Sequence, residues 1–395
     1  MILMMKKFFL TAGLALVSIY LSACASNLPV RTAEPERLPS LVVTPFPDSP
    51  LKESIVAAGD YLVRNQLSNG HLSYQINIET HRRDAFPSFV RLIAGNGALY
   101  TACRVSARAE YCQAGDRALD YYLVRLAEDP LRFDGACFSE ENDCSLGGSA
   151  LAIDTIYKRW QATGNFELGE RNLLKDAIQL GEFLVWMRRP EGGFYHSFDP
   201  FFGGQVDPDA FVKFFPGESL MAMLELYEMT GEETWLEQAR EVNAYMITQP
   251  VDQAHWHAYA FSLFARLDHL TKEDLTYAIR IGEAVLEGQE ESLAHTASTI
   301  STATKLEATA SLGQALARSD SPHTWLAVEM EKIAQYEMER QLPENDCGWI
   351  TSSEMSVNYA GGIYMNCTDP IIRVDGLMHW INGAAAYLEY LDMVE

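Results

Sequence analysis

One motif, used six times, governs what this chain can fold into: an amphipathic helix, a glycine- and aromatic-bearing turn, and a second, more apolar helix. The first helices begin near Leu51, Ala109, Arg171, Glu233, Lys272 and His323, a spacing of roughly 40 to 60 residues that marks stacked helical hairpins. Their apolar residues recur along one stripe. Leu173, Ala177, Leu180, Leu184 and Met187 follow that spacing over four turns, as do Trp235, Ala239, Val242 and Met246. Such helices have one buried face and one wet face. The second helices are apolar nearly all round, as in Leu220-Met221-Ala222-Met223-Leu224 and Ala258-Tyr259-Ala260-Phe261. A helix without a polar face must be enclosed by others. The expectation is an all-α ring of six hairpins, twelve main helices in two shells, whose inner helices point their N-termini at a central cleft.

The first 23 residues read as a targeting segment. Lys6 and Lys7 precede the apolar stretch Phe8 to Ser18, and Leu21-Ser22-Ala23-Cys24 matches a bacterial lipoprotein cleavage box. Cys24 is the expected lipidation site. Ala25 and Ser26 follow it without an aspartate, which points to the outer membrane, with the protein facing the periplasm. Six prolines between Pro29 and Pro50 make residues 24–50 an extended tether. Residues 51–395 then form a single domain, uninterrupted by a second linker.

Removing the two lysines of the targeting segment leaves 28 basic residues against 54 acidic ones, a net charge of −26. That balance argues against nucleic acid, whose binding rests on cations meeting phosphates, and against membrane contact beyond the anchor. Six cysteines remain besides Cys24, in three close pairs: Cys103 with Cys112, Cys137 with Cys144, and Cys347 with Cys367. Export favours disulfides between these neighbours. The zinc alternative lacks a CxxC or HExxH spacing, so no metal and no cofactor is expected.

The repeat, with the segments Phe214-Phe215-Pro216-Gly217-Glu218-Ser219-Leu220 and Arg373-Val374-Asp375-Gly376-Leu377-Met378-His379, resembles the bacterial (α/α)6 toroids of the six-hairpin glycosidase-like superfamily. The resemblance implies a toroid over residues 51–395. It also implies a cleft whose acidic residues hydrolyse, eliminate or epimerise sugars, although one architecture hosts many chemistries.

Polar residues at the starts of inner helices are the candidate site. They are Arg91; Ser145 and Ser149; Asp207, Asp209 and Glu218; His255 and His257; Lys305 and Glu307; and Arg373, Asp375 and His379. Polar groups ahead of apolar runs are costly to bury without a partner or ligand. Glu218 with Asp207 or Asp375 would supply the acid and base of glycoside hydrolysis. Elimination or epimerisation would instead use His379 or Tyr359 as base, with Arg373 neutralising the substrate. Arg91, Trp256, His257, Glu307, Arg373 and His379 would bind the glycan. Competing roles stay open: Glu218 as a helix cap, Arg373–Asp375 as a structural ion pair, and a noncatalytic cleft that holds a cell-surface polymer or partner protein. No DxDD or DDxxD run supports prenyl chemistry.

Overall fold

The computed structural model describes residues 46–395 apart from 84–87, 141–142, 201–204, 252–253, 295–296 and 345–346. The targeting segment, Cys24, the tether up to residue 45, and the aromatic pair Phe201 and Phe202 lie outside the described residues.

Outer helices are α1 (Pro50–Arg64), α3 (Ala109–Leu123), α5 (Leu173–Trp186), α7 (Glu233–Met246), α9 (Lys272–Leu286) and α12 (Thr324–Met338). Inner helices are α2 (Phe89–Ser106), α4 (Leu146–Thr163), α6 (Phe215–Thr230), α8 (Ala254–Arg266), α11 (Thr299–Arg318) and α14 (Val374–Val394). Two short helices, α10 (Gln289–Ser292) and α13 (Ser353–Tyr359), sit between the outer and inner helices of the fifth and sixth hairpins. The inner helices pack in the order α2, α4, α6, α8, α11, α14, and α14 returns onto α2. The ring is closed.

Local chemistry explains these boundaries. Ser49 caps α1 by accepting from the Lys52 amide, with Pro50 in the first turn, and Thr271 and Asp274 cap α9 reciprocally. The third outer helix starts at Leu173 rather than Arg171. Glu167–Leu168 and Arg171–Asn172 pair as a small antiparallel ladder, and Asn172 becomes the cap. Stripe residues Leu51, Ile55, Ala58 and Leu62 are buried, as are Leu220 to Leu224 on the inner helix. Phe46, placed in the tether by sequence, packs against the core of the ring.

Strands occupy connections that the helical pattern left without structure. Leu126–Glu128, Ala136–Glu140, Asp143–Ser145, Ser197–Asp199 and Gln205–Val206 form one antiparallel sheet. Gln75–Asn77, Asp369–Arg373 and Tyr364–Asn366 form another. The second sheet stitches the first hairpin to the last, and its strand Asp369–Arg373 runs directly into α14. These strands are two to five residues long, too short for a period-two pattern to stand out among turns. The cysteines are joined as neighbours: Cys103–Cys112, Cys137–Cys144 and Cys347–Cys367.

Candidate active site at the inner-helix N-termini

A cavity of about 770 Å³ opens where the inner helices begin. Its walls include Arg91 of α2, Glu218 of α6, His255 and Trp256 of α8, Lys305 of α11, and Arg373, Asp375 and His379 at the start of α14. Each sits at or within two turns of an inner-helix N-terminus, so ring closure alone brings together residues up to 288 positions apart in sequence.

At the base of the cavity stand two histidines. The His255 and His379 rings lie 5.6 Å apart, edge to face. The His379 Nδ1 is 2.6 Å from a carboxylate oxygen of Glu307, and the other oxygen of Glu307 accepts from the Tyr259 hydroxyl at 2.9 Å. Glu307 is fully buried. A buried carboxylate at Nδ1 fixes that nitrogen as the N–H, leaving Nε2 available toward the cavity. It also balances the positive charge whenever the ring takes a second proton. Burial holds the His255 pKa well below the usual histidine value, with His379 and Lys213 adding to the effect. Neither ring nitrogen of His255 has a hydrogen-bond partner among the described residues.

The contact between α11 and α14 depends on Gly383. A Cβ there would meet the Glu307 backbone nitrogen at 3.0 Å. Gly383 lies four residues after His379 and so shares its helix face, which lets α14 approach closely enough for His379 to reach Glu307.

Glu218 lies in the first turn of α6, buried, and its Oε2 has no hydrogen-bond partner. Its side chain makes no capping bond, so the cap role is not the one it fills. Desolvation raises its pKa to about 8, with Asp154 adding to the shift. Glu218 therefore carries a proton at neutral pH and can donate a hydrogen bond. Space for it comes from Gly147 on α4, where a Cβ would run into Glu218 and Phe215.

The other sequence candidates divide clearly. Asp375 lines the cavity but is engaged by two guanidiniums: Arg373, through paired hydrogen bonds, and Arg91 at 3.5 Å. That ion pair forms part of the cavity wall. Asp207 is exposed and lies outside the cavity lining, accepting from the amides of Asp209 and Ala210 in a local turn. The structure thus does not bring Asp207 to Glu218. His257 faces away from His255, bonds Asn243 at 2.7 Å and stacks on Phe261. Ser145 caps α4, and Ser149 accepts from the Phe138 amide. Tyr359 bonds His81 at 2.6 Å, outside the cavity lining.

Two contributors sit deeper along their helices than the starts singled out by sequence. Asp154 and Tyr259 lie within apolar stretches of α4 and α8. Only the polar interruption of those stretches signals them. His255, Glu307 and His379 present ligand atoms within 4.8 Å of one another and, among the described residues, are the group that could hold a metal.

No protein-family model and no curated protein sequence matches the chain. Solved structures do. Cellobiose 2-epimerase from Spirochaeta thermophila superposes with a TM-score of 0.64 at 12% identity, over 87% of this chain and 97% of that one. D-mannose isomerase gives 0.62 at 10% identity, over 87% and 97%. The unsaturated glucuronyl hydrolase of Bacillus sp. GL1 gives 0.60 at 11% identity, over 85% and 96%. At these identities the likeness concerns architecture. The chain folds as an (α/α)6 toroid, the fold of the six-hairpin glycosidase-like enzymes.

Proposed function

We propose that the protein is a carbohydrate-active enzyme that moves a proton at the carbon beside a sugar carbonyl, as an epimerase or isomerase does. The observation that carries this reading is the adjacent pair His255 and His379, 5.6 Å apart at the cavity base, with Glu307 behind the second. His255, held neutral by burial, takes the proton from the carbon and leaves an enediolate. His379 enters the step carrying a second proton on Nε2, its charge balanced by Glu307, and gives that proton to the same carbon or to the neighbouring one; His255 then passes the proton it took to water, which restores the pair. Proton-bearing Glu218 donates a hydrogen bond to substrate oxygen, and Trp256 and Phe214 offer faces to the sugar ring. The likeness to a solved epimerase and a solved isomerase supports the reading through the fold they share with it.

This choice departs from the pair of carboxylates expected for glycoside hydrolysis. Glu218 has an acid's proton, but Asp207 is elsewhere and Asp375 is held by two arginines. A noncatalytic cleft would need neither a tautomer-fixing carboxylate nor a second histidine facing the first. We also propose, from the cleavage box, that Cys24 carries lipid and anchors the toroid to the envelope, outer membrane and periplasm being its place.

Incubating purified protein with a panel of reducing mono- and disaccharides, and resolving epimers and ketoses by chromatography, tests the activity. A new isomer that disappears with His255→Asn supports it. Shortened oligosaccharides and no new isomer would return the case to hydrolysis.

A further inference from the structure

Among the described residues the cavity lining carries more cations than carboxylates, in a protein whose net charge is −24. Arg91, Lys213, Lys305 and Arg373 line it, drawn from four of the six inner-helix starts, against the lining carboxyls Asp375, Glu287 and Glu218. Asp375 is already consumed by two guanidiniums, and Glu218 is neutral at pH 7 for the reason given above.

Two of the cations have no carboxylate at ion-pair distance among the described residues. Lys213 lies only over the Phe214 ring, 4.8 Å from its centroid. Lys305 reaches the Glu287 carbonyl at 3.3 Å while partly buried. An ammonium taken partly out of water without an ion-pair partner is costly; burial pulls the Lys305 pKa down, and the Glu291 carboxylate offsets this only in part. Arg91 leaves half its side chain exposed, whereas His255 and His379 are nearly covered. The cations therefore stand at the mouth and the histidines at the base. A surface rich in acids repels anions at long range, and a cationic mouth in a low-dielectric cleft reverses that locally.

We infer that the site takes a sugar bearing an anionic group, a carboxylate or a sulfate ester, held at the mouth by Lys213, Lys305 and Arg91 while its carbonyl end reaches the histidines. This rests on the proton-transfer reading for the position of the carbonyl, though not for the charge.

Calorimetric titration of the full-length protein with sodium glucuronate, glucose and glucose 6-sulfate tests it. One or both anions bind at least about tenfold more tightly than glucose, the range of one charge-assisted hydrogen bond, and the preference shrinks at high salt. Which anion is preferred identifies the group. Lys213→Gln and Lys305→Gln, neither of which breaks an ion pair, each remove a large part of the preference. Equal affinities, binding of none of the three, or a preference that survives both substitutions overturns the inference. Exchange of the glucose C2 proton with solvent is read in parallel. Exchange without charge preference overturns the anionic substrate alone, and charge preference without exchange on any of the three sugars overturns the proton transfer alone.

Discussion

Glu307 holds the Nδ1 of His379 at 2.6 Å from the interior side of the ring, and the two residues are 72 positions apart in sequence. Their pairing turns a histidine at a helix start into an oriented acid–base group. Glu307→Gln keeps the shape but offers an amide that need not select the same tautomer. Turnover is expected to fall by up to about 10⁴, the drop seen when a histidine loses its orienting carboxylate, with KM little changed. Equal activity in the variant, measured at substrate saturation, contradicts the orienting role.

Glu218 makes stability depend on pH in a defined window. Burial pushes its carboxyl up to about 8 in the folded chain, against 4.5 for an ordinary glutamate. The folded state thus holds the proton longer, and that contribution is complete below pH 4.5 and lost as pH rises to about 8. The slope is at most about 1.4 kcal/mol per pH unit. Glu218→Gln should flatten it, leaving the variant more stable than the parent at pH 8 to 9 in urea titrations. Parallel curves between pH 4.5 and 8 would show that Glu218 is ionised in the folded protein across that window.

Gly147 gives a steric test of the same residue. Gly147→Ala places a methyl against Glu218 and Phe215, which must move. Activity should drop at least about tenfold, with a stability loss of about 1 to 3 kcal/mol as in overpacked cores. A fully active, equally stable Gly147→Ala protein contradicts the packing at the head of α4.

The three disulfides close short loops, with sequence separations of 9, 7 and 20. By loop entropy each is worth about 2 to 3 kcal/mol, so reduction should lower the melting temperature clearly. Six thiols that react freely in the untreated, folded protein would exclude the bonds.

Cys24 is tested in cells. Cys24→Ser should abolish fatty-acid labelling and release the protein from the membrane fraction. Unchanged labelling and fractionation exclude this anchor.

Much of the architecture was legible because each hairpin declares itself locally. The stripe from Leu173 to Met187, the cap at Thr271 and the all-round apolar run at Leu220 each mark an element without reference to the rest. Ring closure then puts helix starts together, and Arg91, Glu218, Lys305, Arg373, Asp375 and His379 do share one cavity. Partnership was not legible. Nothing in sequence says that His379 meets Glu307 rather than Arg373, since that depends on how closely Gly383 lets α14 approach α11. Asp207 looked equivalent to Asp375 because both are acids ahead of an inner helix, but Asp207 turns back into its own loop. The short strands escaped notice because two to five residues carry too little periodicity.

The measurement closest to the centre of this account is proton exchange at the carbon next to the sugar carbonyl, followed by proton NMR in D₂O. With a substrate sugar, the parent protein should replace that hydrogen with deuterium at a rate matching isomer formation, and His255→Asn and His379→Asn should each reduce exchange by at least about 10². Isomer formation without deuterium incorporation, or undiminished exchange in both histidine variants, would contradict it.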